Sequence, residues 1–388
     1  MKGDGVTTQE NTRRSFHPVN GAREWWGHAP MWQRYLVYIA LIVFALILPA
    51  PWIGSFMSPA SDWTSVLIFP IGTYILLAIG LNIVVGLAGM LDLGFVAFFA
   101  IGAYTVAIFG TKFGWNVWPT ILVGIVLAAV SGVILGAPTL RLRGDYLAIV
   151  TLGFGEIVRI TAQNTDGIGG ARGITNIPHP SPVFGMEFLL DPAPYYYLIL
   201  VAIVLVIVFS VRLQKSRVGR AWAAIREDED AAELMGVPTF KFKLLAFAIG
   251  AMIGGFAGGI YASKAVFIAP DNFPFILSAT ILAAVVLGGA GNLPGVILGA
   301  FLVAWIPERL RAIEWLDHLT RKLIDKGPEE FRILLFGAVL VLMMALRPEG
   351  ILPSRQRKAE LREGTGGMGS LGGEVAGPDT EAAAEVAK

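Results

Sequence analysis

Few side chains in this 388-residue chain place a polar or charged group inside an apolar stretch, and those few bound its chemistry. Asn82, Asp92, Asp145, Glu156 and Arg159 lie within or beside long apolar runs. Gradient-driven transporters keep buried acidic groups of this kind as ion or proton carriers. Glu156 and Arg159, however, stand three apart on one helical face, a spacing at which they pair with each other. Asp92 and Asp145 are expected near cytoplasmic helix ends, within reach of water, so no deep carboxylate pair emerges. An intramembrane metalloprotease would need paired histidines with a glutamate on one helix. The four histidines, His17, His28, His179 and His318, all fall outside the apolar runs, and no His or Lys lies near an embedded serine to activate it. The absence of cysteine excludes disulfides, thiolate catalysis and Cys-based metal sites. A phosphate-cradling loop requires Gly-Lys-Ser/Thr, and the chain contains no Gly-Lys pair. The residues therefore predict no enzyme, no cofactor and no ATPase of its own; energy for uphill work must come from another subunit or an ion gradient.

The elements that must position these groups are written in the hydropathy. Hydrophobic residues make up 55% of the chain and charged ones only 15%, unlike a soluble domain. The apolar residues gather into runs near 35–53, 64–85, 93–110, 117–138, 145–161, 194–211, 243–262, 275–288, 294–307 and 331–346. A run of about 20 residues crosses the hydrocarbon as a helix, and the runs lack the alternation of β-barrel strands. The expected fold is all-α: a polytopic integral membrane protein with about ten transmembrane or half-spanning helices. The runs 145–161, 275–288 and 294–307 are short and are candidates for half-helices or re-entrant pieces, tolerable only where they line a cavity or are buried in protein.

Positive charge sets the orientation. Arg13, Arg14 and Arg23 in the N-terminal tail, Arg141 and Arg143, the stretch 212–243, and Arg347 to Lys358 are basic, whereas 54–63, 111–116, 162–193 and 263–274 carry at most one positive residue each. With ten crossings the basic links share the cytoplasmic side with both termini. The link 308–330 breaks the pattern. Leu310, Ile313, Leu316, Leu319 and Leu323 recur there at helical spacing, which predicts an amphipathic helix on the outer face. The expected organisation is a cytoplasmic tail over 1–30 without a cleavable signal, a membrane domain over 31–353, and a disordered Gly/Ala/Glu-rich cytoplasmic tail over 354–388. Neither the net charge of +1 nor any basic block points to nucleic acid; the lasting partner implied by composition is membrane lipid.

Small residues mark how the helices pack. Gly124, Ala128, Gly132 and Gly136 recur every four residues, as do Gly250, Gly254 and Gly258, which lets backbones approach closely. A faint internal echo joins Gly86-Leu-Ala-Gly89-Met-Leu-Asp-Leu-Gly94 to Gly288-Gly-Ala-Gly291-Asn-Leu-Pro-Gly295, each preceding an apolar run. Glycine-broken segments at corresponding places in two halves are what repeat-built transporters show near their substrate site.

Within the basic link, Asp230-Ala231-Ala232, three residues and then Gly236 resemble the Glu-Ala-Ala-x-x-x-Gly pattern of ABC importer permeases, with Asp in place of Glu. In that family the pattern forms a helix that docks in a groove of the ATPase subunit, which implies a coupling role here for Arg220, Ala224, Glu227, Asp230, Ala231, Ala232 and Gly236. Four further segments, 80–94, 144–159, 273–279 with 286–292, and 346–353, occur in the right order over residues 35–353 and resemble the LivM-type branched-chain amino acid permease family. The resemblance implies a permease subunit of an ATP-driven importer in the bacterial cytoplasmic membrane. Its implied partners are a second homologous permease, two cytoplasmic ATPases and a periplasmic or extracellular substrate-binding protein. The related urea permeases share much of the pattern and leave urea open as the cargo, and an ion-coupled secondary transporter is the rival class. For a neutral zwitterion the pathway candidates are Asn82, Asp92, Thr151, Glu156 and Asn272 as polar contacts, with Phe95, Phe98 and Phe99 as walls.

Overall fold

The computed structural model describes residues 43–57, 61–140, 145–183, 185–188, 191–311, 337–338, 341 and 350–352. The chain divides into two units, 1–50 and 51–388. Of the first, residues 43–50 are described; they form a short helical stretch in which the Leu48 amide donates to the Phe44 carbonyl at 3.0 Å. The two tails, Arg141 and Arg143, most of the expected amphipathic helix and nearly all of the run 331–346 lie outside the described residues.

The second unit is helical, and its only β pairings among the described residues are isolated bridges. Its elements are α1 (Pro51–Met57), α2 (Trp63–Leu87), α3 (Val96–Phe113), α4 (Val117–Thr139), α5 (Asp145–Asn164), α6 (Ala193–Lys215), α7 (Arg217–Glu227), α8 (Glu229–Leu234), α9 (Thr239–Ala265), α10 (Phe275–Gly288) and α11 (Leu293–Arg311). Among the described residues six helical segments are long and apolar enough to cross a membrane: α2, α3, α4, α6, α9 and Pro270–Gly288, which joins α10 to the turn before it. The short runs resolve differently from one another. The 145–161 run becomes an unbroken 20-residue helix, about 30 Å long, whereas α10 has 14 residues and reaches only about 21 Å.

α9 is the hub, packed along α4, α3 and α2. Its glycines form two faces, not one. Gly250, Gly254 and Gly258 receive Val84, Phe98 and the Phe99 carbonyl, while Gly255 and Gly259 receive Ala128 and Ile121 of α4. A Cβ on Gly255 would stand 2.5 Å from the Ala128 Cβ, and one on Gly258 would overlap the Phe99 carbonyl. In lipid such contact-distance packing supplies the attraction that water would otherwise provide. The outward faces of α4, α5 and α6 carry exposed Leu122, Ile134, Ile149, Ile157, Leu205 and Phe209, as a lipid-facing surface requires.

α2 is broken in its N-terminal half. Asp62 caps its start, accepting the Ser65 amide at 3.0 Å. Phe69 then leaves helical geometry at φ −139° and ψ 124°, because Pro70 behind it offers no amide and crowds the preceding turn. Thr73 repairs part of the break by donating its hydroxyl to the Ile68 carbonyl at 3.0 Å.

Candidate functional site

The sequence motif between Ser216 and Gly236 folds as two helices, α7 and α8, not one. Ser216 caps α7 through the Val218 amide (3.2 Å), and Asp228 caps α8 through the Ala231 amide (3.0 Å). The chain turns at Gly236, φ +84°, where the Gly236 amide reaches the Glu233 carbonyl (2.9 Å) and the Val237 amide the Ala232 carbonyl (3.0 Å). A left-handed residue at this position favours glycine, which explains that element of the pattern.

Anchors hold the two helices against the membrane unit. Trp222 is fully buried, and its indole N–H donates to the Phe242 carbonyl at 2.7 Å. Lys243 pairs with Glu229, tying α8 to the start of α9. Arg226 reaches farthest: its guanidinium donates to the Gly86 carbonyl, and its aliphatic stem lies on Gly89. Ala232 is packed inward, while Ala231, Glu227, Asp230 and Gly236 are exposed and Ala224 is half-buried. At the tip stand two bare hydrophobes, Leu234 at 89% exposure and Met235 at 85%. Arg226, Leu234 and Met235 escaped the motif. An apolar pair beside a helix-ending glycine in a charged loop was the available signal for the last two.

The loop that Arg226 grips leads to the second glycine-broken segment. Asn82, 1% exposed, accepts the Gly291 amide at 2.8 Å, and a Cβ on Gly86 would come within 2.5 Å of the same Gly291 nitrogen. The two segments of the internal echo thus meet in space. Nearby, the Asn292 side-chain amide donates to the Leu352 carbonyl at 2.7 Å, and Gly288 lies against Gly295.

The candidate pathway residues separate. Asp92 was expected near water and is instead wholly buried, because its loop folds back beneath α3 against α5. Its Oδ1 accepts the Gly94 amide at 2.9 Å, while Oδ2 has no hydrogen-bond partner among the described residues. Thr151 beside it accepts the Leu93 amide at 3.0 Å and donates to the Ala148 carbonyl at 3.0 Å. Phe95, Phe98 and Phe99 are fully buried among α3, α9 and their neighbours and line neither of the two cavities described below. Glu156 pairs with Arg159 at 2.9 Å, as their spacing predicts. Asn272 lies in the turn before α10, accepting the Ala269 amide at 3.2 Å and donating to the Tyr261 hydroxyl at 2.8 Å.

Volume decides which region could admit a solute. The crevice beside Glu156 and Arg159, which also touches Val96 and Ser278, holds about 10 Å³, room for a single water. A second cavity of about 840 Å³ opens between the N-terminal half of α2, α10 and the end of α11. That is the size range of small-molecule sites.

A model of the branched-chain amino acid transport system permease component family matches residues 64–344. The chain is 41% identical over 314 residues to the high-affinity branched-chain amino acid transport system permease protein LivM of Escherichia coli, covering 75% of this chain and 70% of that relative. It is 28% identical over 249 residues to a probable LivM permease of Methanocaldococcus jannaschii, covering 61% and 69%. LivH of Escherichia coli is 26% identical over 297 residues, covering 72% and 91%. No solved structure matches.

Proposed function

Since the chain belongs to the branched-chain amino acid transport permease family, we propose that it is one of two permease halves of an ATP-driven importer for branched-chain or other neutral amino acids in the bacterial cytoplasmic membrane. Its companions are then a homologous second permease, two cytoplasmic ATPases and a binding protein that delivers substrate to the outer mouth, with both termini of this chain inside.

One observation carries the reading: Arg226 of the cytoplasmic loop is bonded to Gly86 of a glycine-broken segment that itself bonds, through Asn82, to its counterpart at Gly291. A displacement of α7 and α8 therefore has a direct mechanical route into both broken segments. Leu234 and Met235 supply the apolar contact by which an ATPase groove would move the loop, since exposed hydrophobes on a charged, well-anchored loop mark a partner surface. The rigid anchors at Trp222 and Lys243 keep α7 and α8 from moving independently of α9. ATP binding would draw the ATPases together, shift the loop and reorient the helices on either side of it, opening the path inward.

Leu234→Glu with Met235→Glu tests the coupling. The doubly substituted chain should still insert in the membrane, while the ATPases no longer co-purify and leucine uptake is lost. Normal co-purification and uptake would sink the assignment. Vesicles holding this chain alone should show no leucine uptake from an imposed ion gradient; robust uptake there would favour a secondary transporter.

A further inference from the structure

The cavity of about 840 Å³ beside the break in α2 is lined by none of the residues that the sequence marks as pathway candidates. Aliphatic side chains, Val66, Ile276, Val303 and Val341, make up much of its wall, and two further groups stand out. One is aromatic: Phe69 and Tyr74 stand edge to face with centroids 6.0 Å apart, backed by Tyr261 at 4.9 Å from Phe69. The other is small and slim, Ala279, Thr280 and Ala283 along α10. Two carboxylates line it, exposed Asp62 of the α2 cap and buried Glu308 of α11, the latter accepting a hydrogen bond from the Ser61 hydroxyl. Among the described residues no lysine or arginine lines the space.

The break in α2 accounts for the opening. A continuous helix would keep stacking side chains against α10 through this level. Phe69 instead swings to 40% exposure, and the chain passes the level with a proline ring. Facing it, α10 presents alanine and threonine where larger residues would have filled the gap. The start of α2 and the turn before α10 belong to the charge-poor links 54–63 and 263–274, the side assigned to the exterior, while α11 ends in the link 308–330 that breaks the charge pattern.

We infer that this cavity is the outer substrate chamber: a small amino acid with an aliphatic side chain enters here, its ammonium drawn by Asp62 and Glu308 and its side chain laid against Phe69, Tyr74 and the alanines of α10. The inference rests on the importer reading above and adds the place at which that solute enters. Apolar walls with a few polar groups at one end suit a molecule that is charged at one end and greasy at the other. Carboxylates at the mouth raise the local concentration of cationic groups without binding them tightly, as a passage requires. The cavity is open along one side, where the second permease of the pair would complete the wall. Asn272 serves this chamber indirectly, by fixing Tyr261 behind Phe69.

The chain contains no cysteine, so single cysteines report without background. Thr280→Cys and Ala283→Cys, in right-side-out vesicles from cells carrying the complete transport system, are treated with a membrane-impermeant cationic thiol reagent. Both should react. Leucine, supplied with the binding protein, should slow both reactions, and Asp62→Asn combined with Glu308→Gln should slow the cationic reagent but not an anionic one. Ile149→Cys and Leu205→Cys, on the lipid-facing surface, should stay unreactive. Cavity cysteines that react only with a membrane-permeant maleimide would show a lipid-filled groove, and cysteines that react with neither reagent would show a face sealed by the partner; either result overturns the inference. Ala283→Trp should block uptake while the assembled complex is retained; unimpaired uptake by that variant also overturns it. Wild-type leucine uptake is measured alongside. Intact uptake with unreactive cavity cysteines refutes the chamber alone. Reactive cavity cysteines protected by a different solute, with no leucine uptake, would refute the amino acid reading of both.

Discussion

Around Gly255 and Gly258 three helices close until nothing larger than a hydrogen fits between them, whereas beside Phe69 and Thr280 one of the helices that packs on α9 leaves about 840 Å³ open. Both regions are apolar. The difference lies in what each does with small residues. On α9 and α4 glycine and alanine face each other, so smallness becomes contact. On α10, Ala279 and Ala283 face a broken helix that cannot close on them, so smallness becomes space. Small residues in a membrane helix thus mark packing or passage according to what stands opposite.

The largest effect should come from filling the closed region. Gly258→Val would drive its side chain into the Phe99 carbonyl and the Ala103 amide, backbone atoms that cannot step aside. Overpacking of this kind costs about 1–3 kcal/mol or more, so the folded protein should fall sharply in yield and in melting temperature in detergent. Ala279→Val, on the open side, should leave both nearly unchanged. Equal losses for the two variants would erase the contrast between the regions.

Asn82→Ala tests the junction between them with an intermediate effect. It removes the acceptor of the Gly291 amide, and a buried donor left unpaired costs about 1–3 kcal/mol. Amide exchange over residues 289–292 should accelerate while exchange in α9 stays protected. Unchanged exchange at Gly291 would mean that the two broken segments are not coupled through this bond.

The smallest effect belongs to the link between α5 and α6 and depends on pH. His179 meets the Tyr195 hydroxyl at 2.7 Å and, lying in a link between spans, titrates below the usual imidazole range because of partial burial and the nearby Lys264 charge. The unfolded chain takes up its proton near about pH 6.5 and the folded chain only at lower pH. The neutral imidazole therefore contributes fully above about pH 6.5, and the contribution is lost as pH falls from there through the folded value. Melting temperature should drop slightly between pH 7.5 and 5.5, and His179→Gln should remove that component. An unaltered pH profile in His179→Gln would show that the link is held by other contacts.

Much of the helical framework was legible because length, hydropathy and Gly spacing are local signals. The Gly124 and Gly250 stripes do lie at helix contacts, and the Glu156–Arg159 pair forms as its spacing requires. The candidate site was less legible. Polarity inside an apolar run was read as access to solute, but Asn82 and Thr151 spend their hydrogen bonds on the backbone of neighbouring segments, and Phe95 is enclosed by helices. Ala232 lies inward because two helices, not one, make up the loop, which leaves Leu234 and Met235 at the surface.

By itself the sequence determined membrane residence, the helical class and the family, since each follows from residue type and order along the chain. Tertiary structure alone decided that the two glycine-broken segments touch, that Arg226 reaches one of them, and that the open volume lies at the Phe69 break. The physical reason is that space is a property of pairs of surfaces. A proline announces a break in one helix, but whether the break is filled depends on side chains some two hundred residues away on α10 and α11.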